Sequence, residues 1–139
     1  TAAIYNGTIG NDFYRTSPGA TVQELFGNQG SDILISSLGP KILRGGTGPD
    51  QFVWPDVASI SGGLDTVADF LPSEGDQLNF GGLININVLT DTPSDFVRMV
   101  SGSILQVNLS GTGWTNVAAL QGVTSFDANA LYQSGNLLL

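Results

Sequence analysis

Large apolar residues stand at Tyr14, Leu25, Leu34, Leu43 and Phe52, at spacings of 11, 9, 9 and 9. An amphipathic helix repeats its apolar positions every 3.6 residues and a half-buried strand every 2, so neither explains nine. A stack of short strands and tight turns does, because each unit sends one residue inward and stacking joins these into one core. Later the pattern changes. Residues 64–70 and 77–80 alternate polar and apolar around a turn at 71–76, which predicts strand, turn, strand. Residues 55–63 form a loop before them, and 82–89 are apolar and β-prone. Three more strands are predicted at 95–100, 103–109 and 115–122. In the middle one Ile104, Gln106 and Asn108 alternate with Leu105, Val107 and Leu109. Residues 110–113 read as a hairpin turn. Trp114 is expected in the core, and 125–132 as one short helix capped by Ser125 or Asp127.

The nine-residue units align. Residues 7–15, 27–35 and 45–53 share Gly at the first and fourth positions, Asp at the sixth and a large apolar residue at the eighth. The sixth-position residues are Asp12, Asp32 and Asp50. Between the second and third copies, 36–44 keeps Gly39 and Leu43 but carries Lys41 in place of Asp. Residues 16–26 fit one further turn with a two-residue insertion around 17–20. The count is five turns. A lone Gly-x-Asp is ordinary turn chemistry, in which the carboxylate caps a turn without metal. Three copies in phase within 50 residues are specific.

Composition narrows the chemistry. The 139 residues hold 19 Gly, no Cys and no His, and 12 acidic against 4 basic residues, a net charge of −8. The charge excludes nucleic acid as the natural partner, since phosphate binding needs clustered Lys and Arg. Without Cys there are no disulfides, thiolate metal sites or thiol catalysis. Without His the commonest general base is missing, which argues against an enzyme. Oxygen donors remain, and these suit hard cations such as calcium. No stretch approaches the length of a membrane span. The N-terminus lacks the pattern of a secretory signal. The chain starts at Thr1 without Met, which predicts a piece of a longer or processed protein.

The nonapeptide G-G-x-G-x-D-x-U-x is a calcium-binding pattern of RTX (repeats-in-toxin) proteins. Residues 45–53 match it completely, and 7–15 and 27–35 lack only the second Gly, so the chain resembles that family. The resemblance implies an all-β fold: a parallel β-roll over residues 1–54, continuing into a β-sandwich-like cap of antiparallel strands over 55–139. In such a roll, loops n and n+2 stack with an ion between them. One calcium site would then use Thr8, Gly10 and Asp12 with Gly27, Asn28 and Asp32. A second would use Asn28, Gly30 and Asp32 with Gly45, Gly46, Gly48 and Asp50. The loops of the opposite side contain no Asp, and Lys41 would place an ammonium there, in contact with Glu24. No calcium is expected on that side.

Residues 65–70, Asp-Thr-Val-Ala-Asp-Phe, resemble the strand that closes RTX rolls, where the first Asp reaches the final ion. Asp65 is therefore a candidate ligand, ahead of Asp69; the alternative for Asp65, Asp69, Glu74 and Asp76 is a solvated acidic edge. The order of motifs from Asp65 to the terminal Gly-Asn-Leu-Leu-Leu is similar to a type I secretion target domain. This implies export by type I secretion machinery through an uncleaved C-terminal signal, and folding on calcium outside the cell. The competing expectation is an accessory module holding a glycan or cell surface for a secreted enzyme or adhesin.

Overall fold

The computed structural model describes residues 3–19, 21–109 and 113–139. They form twelve strands, in chain order β1 (Ala3–Asn6), β2 (Phe13–Arg15), β3 (Gln23–Phe26), β4 (Ile33–Ile35), β5 (Lys41–Arg44), β6 (Gln51–Val53), β7 (Asp65–Val67), β8 (Gln77–Asn79), β9 (Val97–Val100), β10 (Ile104–Asn108), β11 (Trp114–Leu120) and β12 (Leu137–Leu138). One short helix, α1 (Ala128–Gln133), precedes β12. Successive strands up to β8 fall alternately into two sheets. One sheet runs β1-β3-β5-β7-β11-β10-β9, and the other β12-β8-β6-β4-β2. All pairs are parallel except β9–β10 and β10–β11.

The register explains the nine-residue period. Tyr14, Leu34, Phe52, Leu78 and Leu137 lie opposite one another across β2, β4, β6, β8 and β12. Tyr5, Leu25, Leu43 and Val67 do the same in the other sheet, which continues through Leu120. From Leu25 and Leu34 onward these side chains are buried and belong to one hydrophobic cluster. A three-residue strand has one inward position, at its centre, and the four-residue strands β3 and β5 have two, the second of them apolar, so each strand adds one large apolar residue to the core.

Several expectations change. The strands predicted within 64–80 form, but β7 and β8 lie in different sheets and do not pair. The parallel stacking therefore runs on past residue 54, through β7 and β8, and no break in either sheet marks that boundary. In the later part only β9, β10 and β11 are antiparallel, while β12 returns to the parallel stack. Residues 82–89 form no strand: turns at 82–83 and 88–89 flank irregular backbone in which Ile84 is buried. Asp127, not Ser125, caps α1 through a bond from the Ala130 N–H. Trp114 is half-buried, with the Arg98 guanidinium 4.0 Å above its ring, a surface cation–π contact. Of the predicted hairpin turn at 110–113, residues 110–112 lie outside the described residues. No described helix is long and apolar enough to cross a membrane.

Candidate functional site

Parallel stacking of β2, β4 and β6 superposes the loops that lead into them, 7–12, 27–32 and 45–50. The structure thus brings together all the predicted loop residues. Asp32 and Asp50 each join their layer to the one before. The Asp12 N–H donates to Asp32 Oδ1 (2.7 Å), and the Asp32 N–H to Asp50 Oδ1 (2.9 Å). The Asp50 N–H donates to Asp76 Oδ1 (2.9 Å), a rung beyond the predicted repeats. The loops also pair by backbone: the Thr47 N–H donates to Asn28 O (2.8 Å) and the Gly30 N–H to Thr47 O (3.2 Å). Asn28 Nδ2 donates to Gly7 O at 2.8 Å. The approach is close enough to dictate glycine. Gly46 has φ of 94°, and a Cβ there would collide with the Asn28 carbonyl.

The second carboxylate oxygens separate the layers. Asp12 Oδ2 accepts the Thr8 N–H at 2.7 Å. Asp32 Oδ2 and Asp50 Oδ2 are buried and have no hydrogen-bond partner. Both residues are only 1% exposed. An unsatisfied buried polar atom costs about 1–3 kcal/mol, and a charged one more. Burial accordingly pushes the Asp50 carboxyl up to about 7, with Asp76, Asp32 and Asp69 adding repulsion. Burial also raises Asp32. The space beside the loop glycines is lined by oxygen. A Cβ on Gly7 would meet Gly27 O at 2.5 Å, Asp12 Oδ2 at 2.6 Å and Phe26 O at 3.1 Å. One on Gly27 would meet Asp32 Oδ2 and, at 2.5 Å, Gly45 O; one on Gly45 would strike Asp50 Oδ2.

A hard cation fits this donor set: buried carboxylate oxygens lacking donors, surrounded by carbonyls, with neither His nor Cys in the chain. No group of three or more carboxylates converges among the described residues. Any ion here would therefore draw on one carboxylate per layer and on backbone carbonyls.

The opposite side of the stack follows the same plan with different side chains. Gln23 and Lys41 are register partners on β3 and β5. The Lys41 N–H donates to Asp65 Oδ1 at 2.9 Å, as each aspartate N–H does on the first side. Asp65 is thus apart from the three loops. Its Oδ2 accepts from Ser36 Oγ (2.5 Å) and Trp54 Nε1 (2.9 Å), so both its oxygens are engaged. Burial lifts its carboxyl to about 6, against the pull of these donors and of Lys41. Lys41 Nζ donates to Leu38 O (2.9 Å) and Gly19 O (3.1 Å). The expected Lys41–Glu24 contact does not form. Gln23 is buried while its neighbour Glu24 is half-buried and sits opposite Ile42, so the two side chains take opposite faces of β3.

Two residues take parts the repeat pattern did not assign. Asp69 accepts the Gly45 N–H (2.9 Å) and the Gly46 N–H (2.8 Å), closing the last loop. Asp76 holds Asp50 and also accepts the Leu71 N–H at 2.9 Å. Asp76 is fully buried, unlike a solvated edge residue. A signal for Asp76 was present in the sequence: it stands two residues before Leu78, as Asp32 does before Leu34 and Asp50 before Phe52.

No protein-family model matches this chain, and no curated protein matches it.

The raised carboxylates set a pH dependence. In the folded chain Asp50 takes up its proton near 7 and Asp65 near 6, against 3.8 for an ordinary Asp. Between these values the folded state binds more protons than the unfolded one, so stability rises as pH falls. With a chelator present, Tm should increase by about 5 °C from pH 8 to pH 5. A Tm that stays flat or falls in thermal melts over that range would contradict carboxylates raised by burial.

Proposed function

We propose that this chain is a calcium-binding module of RTX type, a parallel β-roll that completes its folding when the ion binds. The observation that carries this reading is the pair of buried oxygens, Asp32 Oδ2 and Asp50 Oδ2, that face no donor. A bound calcium ion would supply the positive charge that these oxygens lack. The main site lies between loops 27–32 and 45–50, with Asn28, Gly30, Asp32, Gly45, Gly46, Gly48 and Asp50 as its residues. A second uses Thr8, Gly10 and Asp12 with Gly27, Asn28 and Asp32, and is weaker because Thr8 already holds the Asp12 carboxylate. Asp65 is left out of the set, since it lies on the opposite side of the stack, held against Lys41, Ser36 and Trp54. Asp69 and Asp76 act as positioning residues, fixing the backbone of the last loop.

The chain's own residues make the switch. Without an ion, carboxylates on successive layers repel one another within a chain of net charge −8. Two sites filled at ten times Kd add about 2.8 kcal/mol to the folded state, a large share of a small domain's stability. Weak sites of the extracellular kind, with Kd of about 10⁻⁴–10⁻³ M, would remain empty inside a cell and fill outside it. The RTX resemblance extends the proposal to the parent protein: secretion by a type I system, with the export signal in 55–139. The module is a binding and folding unit, not an enzyme.

The test is far-UV circular dichroism with calorimetric titration, from EGTA to 10 mM calcium, with magnesium as control. Calcium-specific gain of β signal and binding of one or two ions is the expected result. A chain equally folded in EGTA that takes up no calcium would overturn the reading.

A further inference from the structure

The two sides of the stack share one backbone plan and differ in what neutralises it. On the first side, the aspartate ladder leaves two buried oxygens without donors. On the second, the sixth-position residue is Lys41, 1% exposed, with its ammonium bonded to two backbone carbonyls from adjacent layers, Gly19 O and Leu38 O. Gly39 occupies the loop position that Gly30 and Gly48 hold on the first side, with φ of 93° against 109° and 104°. A Cβ there would collide with Gly19 O and approach Lys41 Nζ at 3.3 Å. The carbonyl-lined space beside a loop glycine is thus present on both sides. On the second it is filled by a nitrogen carried on the chain.

We propose that Lys41 is a tethered cation: its ammonium takes the inter-layer position between Gly19 and Leu38, so this side is assembled without metal. Three features agree. The acceptors at Lys41 Nζ are neutral carbonyls from two different layers, which the ammonium therefore ties together. The charge of Asp65, which takes the Lys41 backbone N–H, acts on the ammonium and offsets its burial. Asp65 is in turn held by a hydroxyl and an indole N–H, which fix its carboxylate beside Lys41. It follows that the carbonyl pair is a latent cation position, closed only by the lysine side chain. Replacing Lys41 by aspartate should open it to a divalent cation.

The gain-of-site part rests on the calcium reading above, whereas the tether does not. Lys41→Asp is titrated with calcium by calorimetry beside the unaltered protein, and Lys41→Met is melted in EGTA and in 10 mM calcium. The expected results are one additional calcium bound by Lys41→Asp, and a Tm loss of about 5–10 °C in Lys41→Met that calcium does not relieve. If folded Lys41→Asp binds no more calcium than the unaltered chain, the inference is overturned. If Lys41→Asp does not fold, Lys41→Met decides: an unchanged Tm overturns the tether, and the stated loss upholds it. Should the unaltered chain bind no calcium while Lys41→Asp binds one, the function proposed above fails and the tethered cation stands.

Discussion

Replacing Asp65 by alanine should cost about 3–5 kcal/mol, enough to unfold much of the population at 37 °C. The carboxylate holds the Lys41 N–H, the Ser36 hydroxyl and the Trp54 indole N–H, and all three donors are buried. Its removal leaves these donors unpaired and the Lys41 ammonium without a counter-charge in a low-dielectric setting. Trp54 stacks on Phe80 with ring centroids 5.0 Å apart, so a displaced indole disturbs the core as well. Asp65→Asn should lose less, because its amide oxygen can still serve Lys41 while its NH₂ meets the Trp54 N–H unfavourably. Thermal or urea melts in EGTA and in calcium check this, and the loss should be the same in both. A loss confined to the calcium samples would instead make Asp65 an ion ligand, as the RTX resemblance implied.

Asp50→Asn should act with opposite signs in the two conditions. In EGTA the variant should be the more stable protein, by about 5 °C in Tm, because a buried carboxylate under repulsion from Asp32, Asp69 and Asp76 becomes neutral. Asparagine keeps an oxygen for the Asp32 N–H, so the ladder survives. In calcium the same change should lower affinity at least about tenfold, or about 1.4 kcal/mol, by removing charge from the donor set. Melts with and without calcium therefore cross between variant and parent. Stabilisation in both conditions would leave the carboxylate as mere strain. Destabilisation in both would make it a structural pin like Asp65.

The nine-residue rhythm in Leu25, Leu34, Leu43 and Phe52 was legible because consecutive turns there have equal length. Val67 and Leu78 continue the same two columns, yet excursions at 54–64 and 68–76 break the spacing and hide them. β1 escaped notice for another reason: the turn before β2 carries Gly and Asp, but nothing before Ile4 and Tyr5 marks a repeat. The loops with Asp12, Asp32 and Asp50 could be found from spacing because strand register superposes them. Asp69 could not, since its partners Gly45 and Gly46 lie 24 and 23 residues back and no local pattern encodes that contact. Lys41 stood out as a departure, but spacing gives only an element's neighbours. Which face of β3 Glu24 takes, and which carbonyls an ammonium can reach, depend on the backbone path.

The aspartate ladder also has a direction. Every rung runs from a backbone N–H to a carboxylate that comes later in the sequence, Asp12 to Asp32 to Asp50 to Asp76. Taking away the first layer frees one carboxylate oxygen, an acceptor that water can serve at the new surface. Taking away the last layer strips Asp50 of the group that holds its N–H and leaves the whole column without its anchor. The column is therefore polar along the chain, the N–H of each layer depending on the carboxylate of the layer after it.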